Sequence, residues 1–132
     1  MIFKKIDTAE APKAFGPYSQ GIVVSQSATL LFLSGMLPLD PSGKMIDGNI
    51  RQLTRQVIVN LEAVLRAGNS SLHQVVRTEV FLIDLKNDFE GMNEEYAIWF
   101  TGQVAPARQT IQVAALPRGS RIEISCIALG NQ

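Results

Sequence analysis

The segment Pro106–Gly130, PARQTIQVAALPRGSRIEISCIALG, carries the pattern that decides the fold. It contains two β-rich runs joined by a turn at 116–119 (LPRG), and side chains alternate between polar and apolar within each run. Arg108 falls on one side of the first strand, and Glu123 falls on the polar side of the second. The segment therefore predicts two neighbouring strands, with Arg108 and Glu123 on one shared, polar face of a sheet.

Upstream of this segment, hydrophobic periodicity predicts the remaining elements. Apolar residues at helical spacing follow Asn49, which can cap the first amides, and stop at Gly68. A second helical stripe begins at Asn87 or Asp88 and stops at Gly102. Short strands are predicted at 2–5, 16–26, 29–35 and 75–83, with a loop over 36–49.

The order β-β-β-α-β-α-β-β predicts one domain over residues 1–132, with an α+β, two-layer architecture. Both helices are expected to cover one face of a six-stranded sheet, in which the runs 16–26 and 29–35 are neighbours. The uncovered face combines Arg, Glu, Thr and Ser with Ile127 and Leu129. Such a face is too polar for a core and too apolar for bulk water, so burial between subunits is expected.

Composition narrows the classes of function. The 132 residues contain 12 Lys+Arg, 12 Asp+Glu and 46% hydrophobic residues, so no broad cationic field favours nucleic acid or acidic membranes. One cysteine excludes an internal disulfide framework, and the N-terminus shows no long apolar stretch. We therefore expect a cytoplasmic protein without membrane spans, for which nucleic-acid binding is not favoured.

Arg108 and Glu123 are the first candidates for chemistry. As a surface ion pair they would contribute only about 0–1 kcal/mol. In a functional interpretation, the guanidinium of Arg108 binds the carboxylate of a small ligand through two hydrogen bonds, and the side chain of Glu123 interacts with a water molecule. The residues alone leave both interpretations open.

Further candidates are weaker taken one at a time. Asn93 interrupts the apolar stripe of the second helix, Tyr18 follows Gly-Pro, and Ser34 precedes Gly at a strand end. Each also fits an ordinary structural role as a bonded buried amide, a packing residue or a turn residue. The single histidine, His73, and the single cysteine, Cys126, cannot form an ordinary zinc site, and no metal is expected.

Taken together, these motifs resemble the RidA (YjgF) family of reactive-intermediate deaminases over nearly the whole chain. GPYSQ at 16–20, SGMLPLDP at 34–41, the FEGMNEEY helix at 89–96 and PARQTIQVAALPRGSRIEI at 106–124 stand in the family's order and spacing. The last block is the most specific. The resemblance implies a chorismate-mutase-like subunit in a homotrimer, with sites in the clefts between subunits.

The resemblance also implies an activity, the hydrolysis of 2-aminoacrylate and 2-iminobutanoate to 2-oxo acids and ammonia. These compounds are released by PLP-dependent dehydratases, and no cofactor is required for their hydrolysis. By the resemblance, Arg108 binds the substrate carboxylate and Glu123 activates the water. The implied pocket residues are Tyr18, Ser34, Gly35, Asn93 and Thr110.

Three positions depart from the family pattern. Thr110 stands where many members carry Cys, Gln109 where a small residue is commoner, and Met36 where Gln is frequent. These changes affect pocket shape and substrate preference.

Two functions other than imine hydrolysis remain open. The alternatives are an endoribonuclease or translation inhibitor, and a non-catalytic trimer that binds small carboxylates.

Overall fold

A computed structural model describes residues 2–131 and shows six strands and two helices there. The strands are β1 (Phe3–Ile6), β2 (Gly21–Val24), β3 (Leu30–Met36), β4 (Val75–Leu82), β5 (Ala107–Gln112) and β6 (Ile122–Leu129). The helices are α1 (Ile50–Ala67) and α2 (Leu85–Trp99). The predicted element order and the α+β class, with two helices packed on a sheet, are confirmed.

The strands are divided between two sheets, so the prediction of one six-stranded sheet is wrong in strand count. Four strands form a mixed sheet in the order β3-β6-β4-β5, and β1 and β2 form a separate antiparallel pair. The predicted pairing of 16–26 with 29–35 is also wrong, because β2 pairs with β1 and β3 with β6. Leu31 and Leu33 of β3 pack on the helix-covered core, whereas the residues of β2 are only partly buried.

Within the larger sheet, β4 lies between β5 and β6, which were predicted to be neighbours. Helix α2 connects β4 to the parallel strand β5, as expected of a β-α-β unit, while β6 runs antiparallel to β4. The chain at 116–119 therefore crosses an intervening strand instead of closing a hairpin. A single 3₁₀ turn at Pro117–Gly119 makes this change of direction, with positive φ at Arg118 and Gly119.

Helix α1 follows its sequence signals closely. Asn49 accepts a hydrogen bond from the backbone N–H of Gln52, whose side chain accepts one from the Asn49 N–H in return, and Gly68 ends the helix. Helix α2 starts earlier than predicted because Asp84 caps it by accepting from the Asn87 N–H. Both helices bury their apolar sides on one face of the mixed sheet; the fully buried residues there include Val57, Ile58, Leu61, Leu65, Val80, Leu82, Met92, Tyr96, Ile122, Ile124 and Ala128.

Candidate active site

Arg108 lies on the helix-covered side of β5, at the edge of the sheet. Its backbone pairs with Thr78 of β4, and its side chain rises toward α2. The guanidinium carbon lies 4.8 Å from the ring centre of Tyr96 and 5.5 Å from that of Tyr18. Its Nη1 donates a 2.7 Å hydrogen bond to Oδ1 of Asn93. An edge strand suits a charged side chain here because the helix layer does not fully close over it.

Helix α2 supplies two of these contacts from one face. Asn93 and Tyr96 are three residues apart, a spacing that places side chains side by side on a helix. The Tyr96 hydroxyl lies 2.8 Å from Oγ1 of Thr78, and the Tyr96 ring stacks on Phe100 at 4.3 Å between centres. Tyr96 belongs to the apolar stripe of this helix and is not among the residues that the sequence predicts for the site. The available signal was its position one turn after Asn93.

The guanidinium of Arg108 has no carboxylate partner among the described residues. Of its five N–H donors, only one makes a hydrogen bond within residues 2–131. Partial burial lowers the pKa of Arg108 from its usual value, while the neighbouring Tyr96 and Tyr18 act in the opposite direction. A half-buried cation with free donors and no counter-ion has the chemistry needed to bind a small anion.

The segment that carries Tyr18 is fastened beside this arginine. The Tyr18 N–H donates to the Gly16 carbonyl at 2.7 Å, and Ser19 donates from its hydroxyl and its N–H to the carbonyls of Ala105 and Pro106. A Cβ atom at Gly16 would lie only 3.8 Å from Nη2 of Arg108. The GPYSQ motif thus forms one wall of the arginine's surroundings. A cleft of about 330 Å³ opens beside Tyr18 but is lined by neither Arg108 nor Glu123.

Glu123 lies on the opposite face of the sheet, and the prediction that it shares a face with Arg108 is wrong. Thr78 of β4 pairs with Arg108 of β5 on one side and with Cys126 of β6 on the other. Arg108 therefore lies on the same, helix-covered face of the sheet as the buried Cys126. Glu123 pairs with Phe81 and points to the uncovered face. Alternation shows which residues of one strand share a face. Which residues of β5 and β6 share a face depends on how each strand is paired with β4, which lies between them.

The surroundings of Glu123 come from a bulge in β3. Leu33 pairs with Cys126 and Met36 with Ile124, so that Ser34 and Gly35 together face one residue of β6. A Cβ atom at Gly35 would lie 2.6 Å from Cδ and Oε2 of Glu123, so any larger residue at position 35 would require the Glu123 side chain to move. No salt bridge or side-chain hydrogen bond engages Glu123 within residues 2–131.

Thr110 completes the predicted set. It lies two residues beyond Arg108 on β5 and therefore on the same face, and its register partner is the buried Val80. Its Oγ1 is buried and has no hydrogen-bond partner among the described residues. The seven predicted residues thus form two groups within one chain: Arg108 with Tyr18, Asn93 and Thr110, and Glu123 with Ser34 and Gly35.

Other chemical classes find little support among residues 2–131. No group of three or more His, Cys, Asp or Glu side chains there is arranged to hold a metal ion. Cys126 is buried, and burial raises the pKa of its thiol to about 12, so the thiol stays protonated at neutral pH. No helix in the described part of the chain has the length and apolar character needed to cross a membrane.

Comparison with known proteins identifies the family. The family model described as "Endoribonuclease L-PSP" matches residues 8–130. The chain belongs to the RidA/YjgF family. This confirms the resemblance given by the GPYSQ and PARQT motifs, and it agrees with the α+β architecture of the chain.

Relatives within the RidA/YjgF family carry several names. Protein DfrA of Myxococcus xanthus is 47% identical over 98% of this chain and 97% of its own length. The 2-iminobutanoate/2-iminopropanoate deaminase of Mus musculus is 44% identical over 98% of this chain and 93% of its own. The crystal structure of E. coli TdcF with bound serine superposes with a TM-score of 0.72 at 35% identity, covering 97% and 99% of the two chains.

Proposed function

We propose that this protein hydrolyses small reactive 2-imino acids, such as 2-iminobutanoate and the imine of 2-aminoacrylate, to 2-oxo acids and ammonia. The observation that carries the proposal is the half-buried guanidinium of Arg108, which keeps four N–H donors free and has no carboxylate partner within residues 2–131. A relative 44% identical to this chain is named an imine deaminase, which supports the same chemistry here.

Arg108 is suited to bind the substrate carboxylate. Charge-assisted hydrogen bonds contribute about 1.5–3 kcal/mol each, and a planar guanidinium can offer two to one carboxylate. Asn93 and the two tyrosine rings restrict the guanidinium before any ligand arrives, which lowers the entropy lost on binding. The carboxylate of a 2-imino acid would then fix the position of the neighbouring electrophilic carbon, C2.

Glu123 is suited to act as the general base, because it is partly exposed and no other side chain occupies its carboxylate within the described residues. In the proposed reaction, Glu123 takes a proton from water as the oxygen bonds to C2, the C2=N electron pair moves to nitrogen, and Glu123 passes the proton to that nitrogen to give an amino alcohol. Glu123 then removes the hydroxyl proton as the C2=O bond forms and the C2–N bond breaks, and it passes this proton to the departing nitrogen, so ammonia leaves and Glu123 is again a carboxylate. An enamine such as 2-aminoacrylate first tautomerises to its imine.

Because the two groups lie on opposite faces of one sheet, we propose that each site is built by two copies. The uncovered face carries Glu123 together with apolar side chains such as Phe32, which is 71% exposed, and Ile111. A face of this kind favours burial against another subunit. In a cyclic homotrimer, Glu123 of one copy would meet Arg108 of the next.

The proposed setting is cytoplasmic, beside PLP-dependent dehydratases that release imines from serine and threonine. The test couples such a dehydratase to this protein and follows 2-oxo acid formation during the lifetime of the free imine. Wild type should accelerate the reaction, and Glu123→Gln should lower kcat by roughly 10²- to 10⁴-fold. Glu62→Gln is the matched control, because Glu62 is a partly exposed glutamate on α1, and it should keep wild-type activity. Equal rates with and without the wild-type protein would refute the proposal.

The same preparation separates two other functions. The family description names an endoribonuclease, so degradation of RNA by a nuclease-free sample would favour that activity instead. The described residues contain one histidine, exposed His73, and acid–base cleavage of RNA usually requires more than that. Binding of 2-oxo acids without any acceleration of imine hydrolysis would indicate a carboxylate-binding protein.

A further inference from the structure

Tyr96 combines complete burial with direct contact to a charged group. None of its surface is exposed, yet its ring centre lies 4.8 Å from the guanidinium carbon of Arg108. An aromatic ring at this distance attracts a cation through its negative face, and the attraction grows when water is excluded. On the aromatic side, Phe100 stacks on Tyr96 at an interplanar angle of 22°.

The hydroxyl of Tyr96 explains why a phenylalanine would not be equivalent. It shares a 2.8 Å hydrogen bond with Oγ1 of Thr78, which is also completely buried. Thr78 is the register partner of Arg108, so the same strand pair holds both the arginine backbone and the anchor of the ring. A buried hydroxyl needs such a partner, and this bond fixes the rotation of the ring beneath the guanidinium.

We propose that Tyr96, anchored by Thr78, is a positioning residue that holds the guanidinium of Arg108 ready for the substrate carboxylate. The inference rests on the proposed role of Arg108 in carboxylate binding. Asn93 fixes one edge of the guanidinium and Tyr96 supports it through its ring face. Tyr96 does not touch the substrate and takes no part in proton transfer.

A purely structural role for Tyr96 makes a different prediction from a positioning role. If Tyr96 were only a core residue, its substitution would lower the free energy of unfolding, and the molecules that remain folded would bind the ligand with unchanged affinity. A positioning residue changes the Kd for a carboxylate, and it raises KM much more than it lowers kcat. The probe is 2-oxobutanoate, which has the carboxylate of the substrate and cannot be hydrolysed.

The experiment measures the Kd of 2-oxobutanoate by calorimetry for folded Tyr96→Leu, with Phe100→Leu as the matched control. Phe100→Leu removes a ring from the same cluster without removing a contact to Arg108. We expect Tyr96→Leu to raise the Kd about tenfold and the KM for the imine similarly, with kcat within about twofold. Phe100→Leu should lower the Tm and leave the Kd within about twofold. A wild-type Kd in folded Tyr96→Leu would overturn the inference.

Two milder variants decide the matter if Tyr96→Leu does not fold. Tyr96→Phe and Thr78→Val each remove the hydroxyl pair but keep the ring, so each should raise the Kd about threefold, and the double variant should be no worse than either. Unchanged Kd values in both would overturn the inference. If wild type binds 2-oxobutanoate but does not hydrolyse imines, the proposed function fails, whereas a raised Kd in these variants still supports the role of Tyr96.

Discussion

Arg108 and Glu123 have very different surroundings within one chain. The arginine is held by Asn93, Tyr96 and Tyr18 on the helix-covered side of the sheet. The glutamate projects from the uncovered side, where its close neighbour is Gly35. One half of the candidate site is thus largely organised within the single chain, whereas the other half lies on a surface that exposes large apolar side chains.

This difference indicates what each half requires. A guanidinium that must bind an anion gains from being fixed in advance, and aromatic rings with one amide achieve this without neutralising its charge. A general base must instead remain free to accept a proton, so it is better left without an ion partner. In the proposed trimer, the contact between subunits brings the two halves together.

The largest expected effect comes from removing the organised half. Arg108→Ala should lower kcat/KM for imine hydrolysis by roughly 10²- to 10⁴-fold, because two charge-assisted hydrogen bonds to the carboxylate are lost. It should also abolish calorimetric binding of 2-oxobutanoate. Arg118→Ala is the control, since Arg118 is exposed and its side chain donates, within residues 2–131, only to the Gly43 carbonyl. Retained 2-oxo acid binding in Arg108→Ala would remove Arg108 from the site.

A second change tests the uncovered face itself. Phe32→Glu places a charge on the proposed subunit contact and should shift the protein from trimer to monomer in analytical ultracentrifugation, with about a 10²-fold loss of activity at micromolar concentration. Ile98→Glu changes a similarly exposed residue on α2, 62% accessible against 71% for Phe32, and should leave the assembly intact. Equal sedimentation of Phe32→Glu and wild type would place the contact elsewhere.

A third change perturbs only the position of Glu123. Gly35→Ala introduces a methyl group 2.6 Å from the Glu123 carboxylate carbon, so the side chain must move. We expect kcat to fall about tenfold with little change in the Kd of 2-oxobutanoate, which the arginine half determines. Gly21→Ala meets only the flexible end of Ile6 at 3.3 Å and serves as the control. An unchanged kcat would argue against a role for the Glu123 position in catalysis.

The smallest expected effect is the dependence of stability on alkaline pH. Burial raises the pKa of Tyr96 from 10.0 to about 12, so the unfolded chain loses this proton first as the pH rises. The free energy of unfolding should therefore decline between pH 10 and 12, by on the order of 2 kcal/mol from this group. Cys126, raised from 9.0 to about 12, should add a decline that begins near pH 9. Chemical denaturation of Tyr96→Phe across this range should show a shallower slope; an identical slope would contradict this assignment.

The sequence was sufficient where local signals determine the structure. The Asn49 cap, the apolar stripe of α1 and the buried alternation of β6 all depend on neighbouring residues, and all appear as predicted. The start of α2 was misplaced because Asp84 lies before the apolar stripe, and its capping role depends on one side-chain hydrogen bond.

Long-range pairing could not be predicted in the same way. The insertion of β4 between β5 and β6 depends on the crossover through α2, and it reverses the expected relation of the Arg108 and Glu123 faces. The alternating pattern contains no information on which strand lies next to which. The family resemblance named the candidate residues, but only the strand register shows that they form two separate clusters in one chain.

The most direct test of the two-copy site mixes two inactive variants, Arg108→Ala and Glu123→Gln, that are unfolded and refolded together in equal amounts. If each site takes its arginine from one copy and its glutamate from the next, random cyclic assembly leaves about one site in four with both residues intact. We therefore predict imine hydrolysis at about a quarter of the wild-type rate, while each variant refolded alone stays inactive. Mixed oligomers that are seen by native mass spectrometry but show no activity would contradict the account.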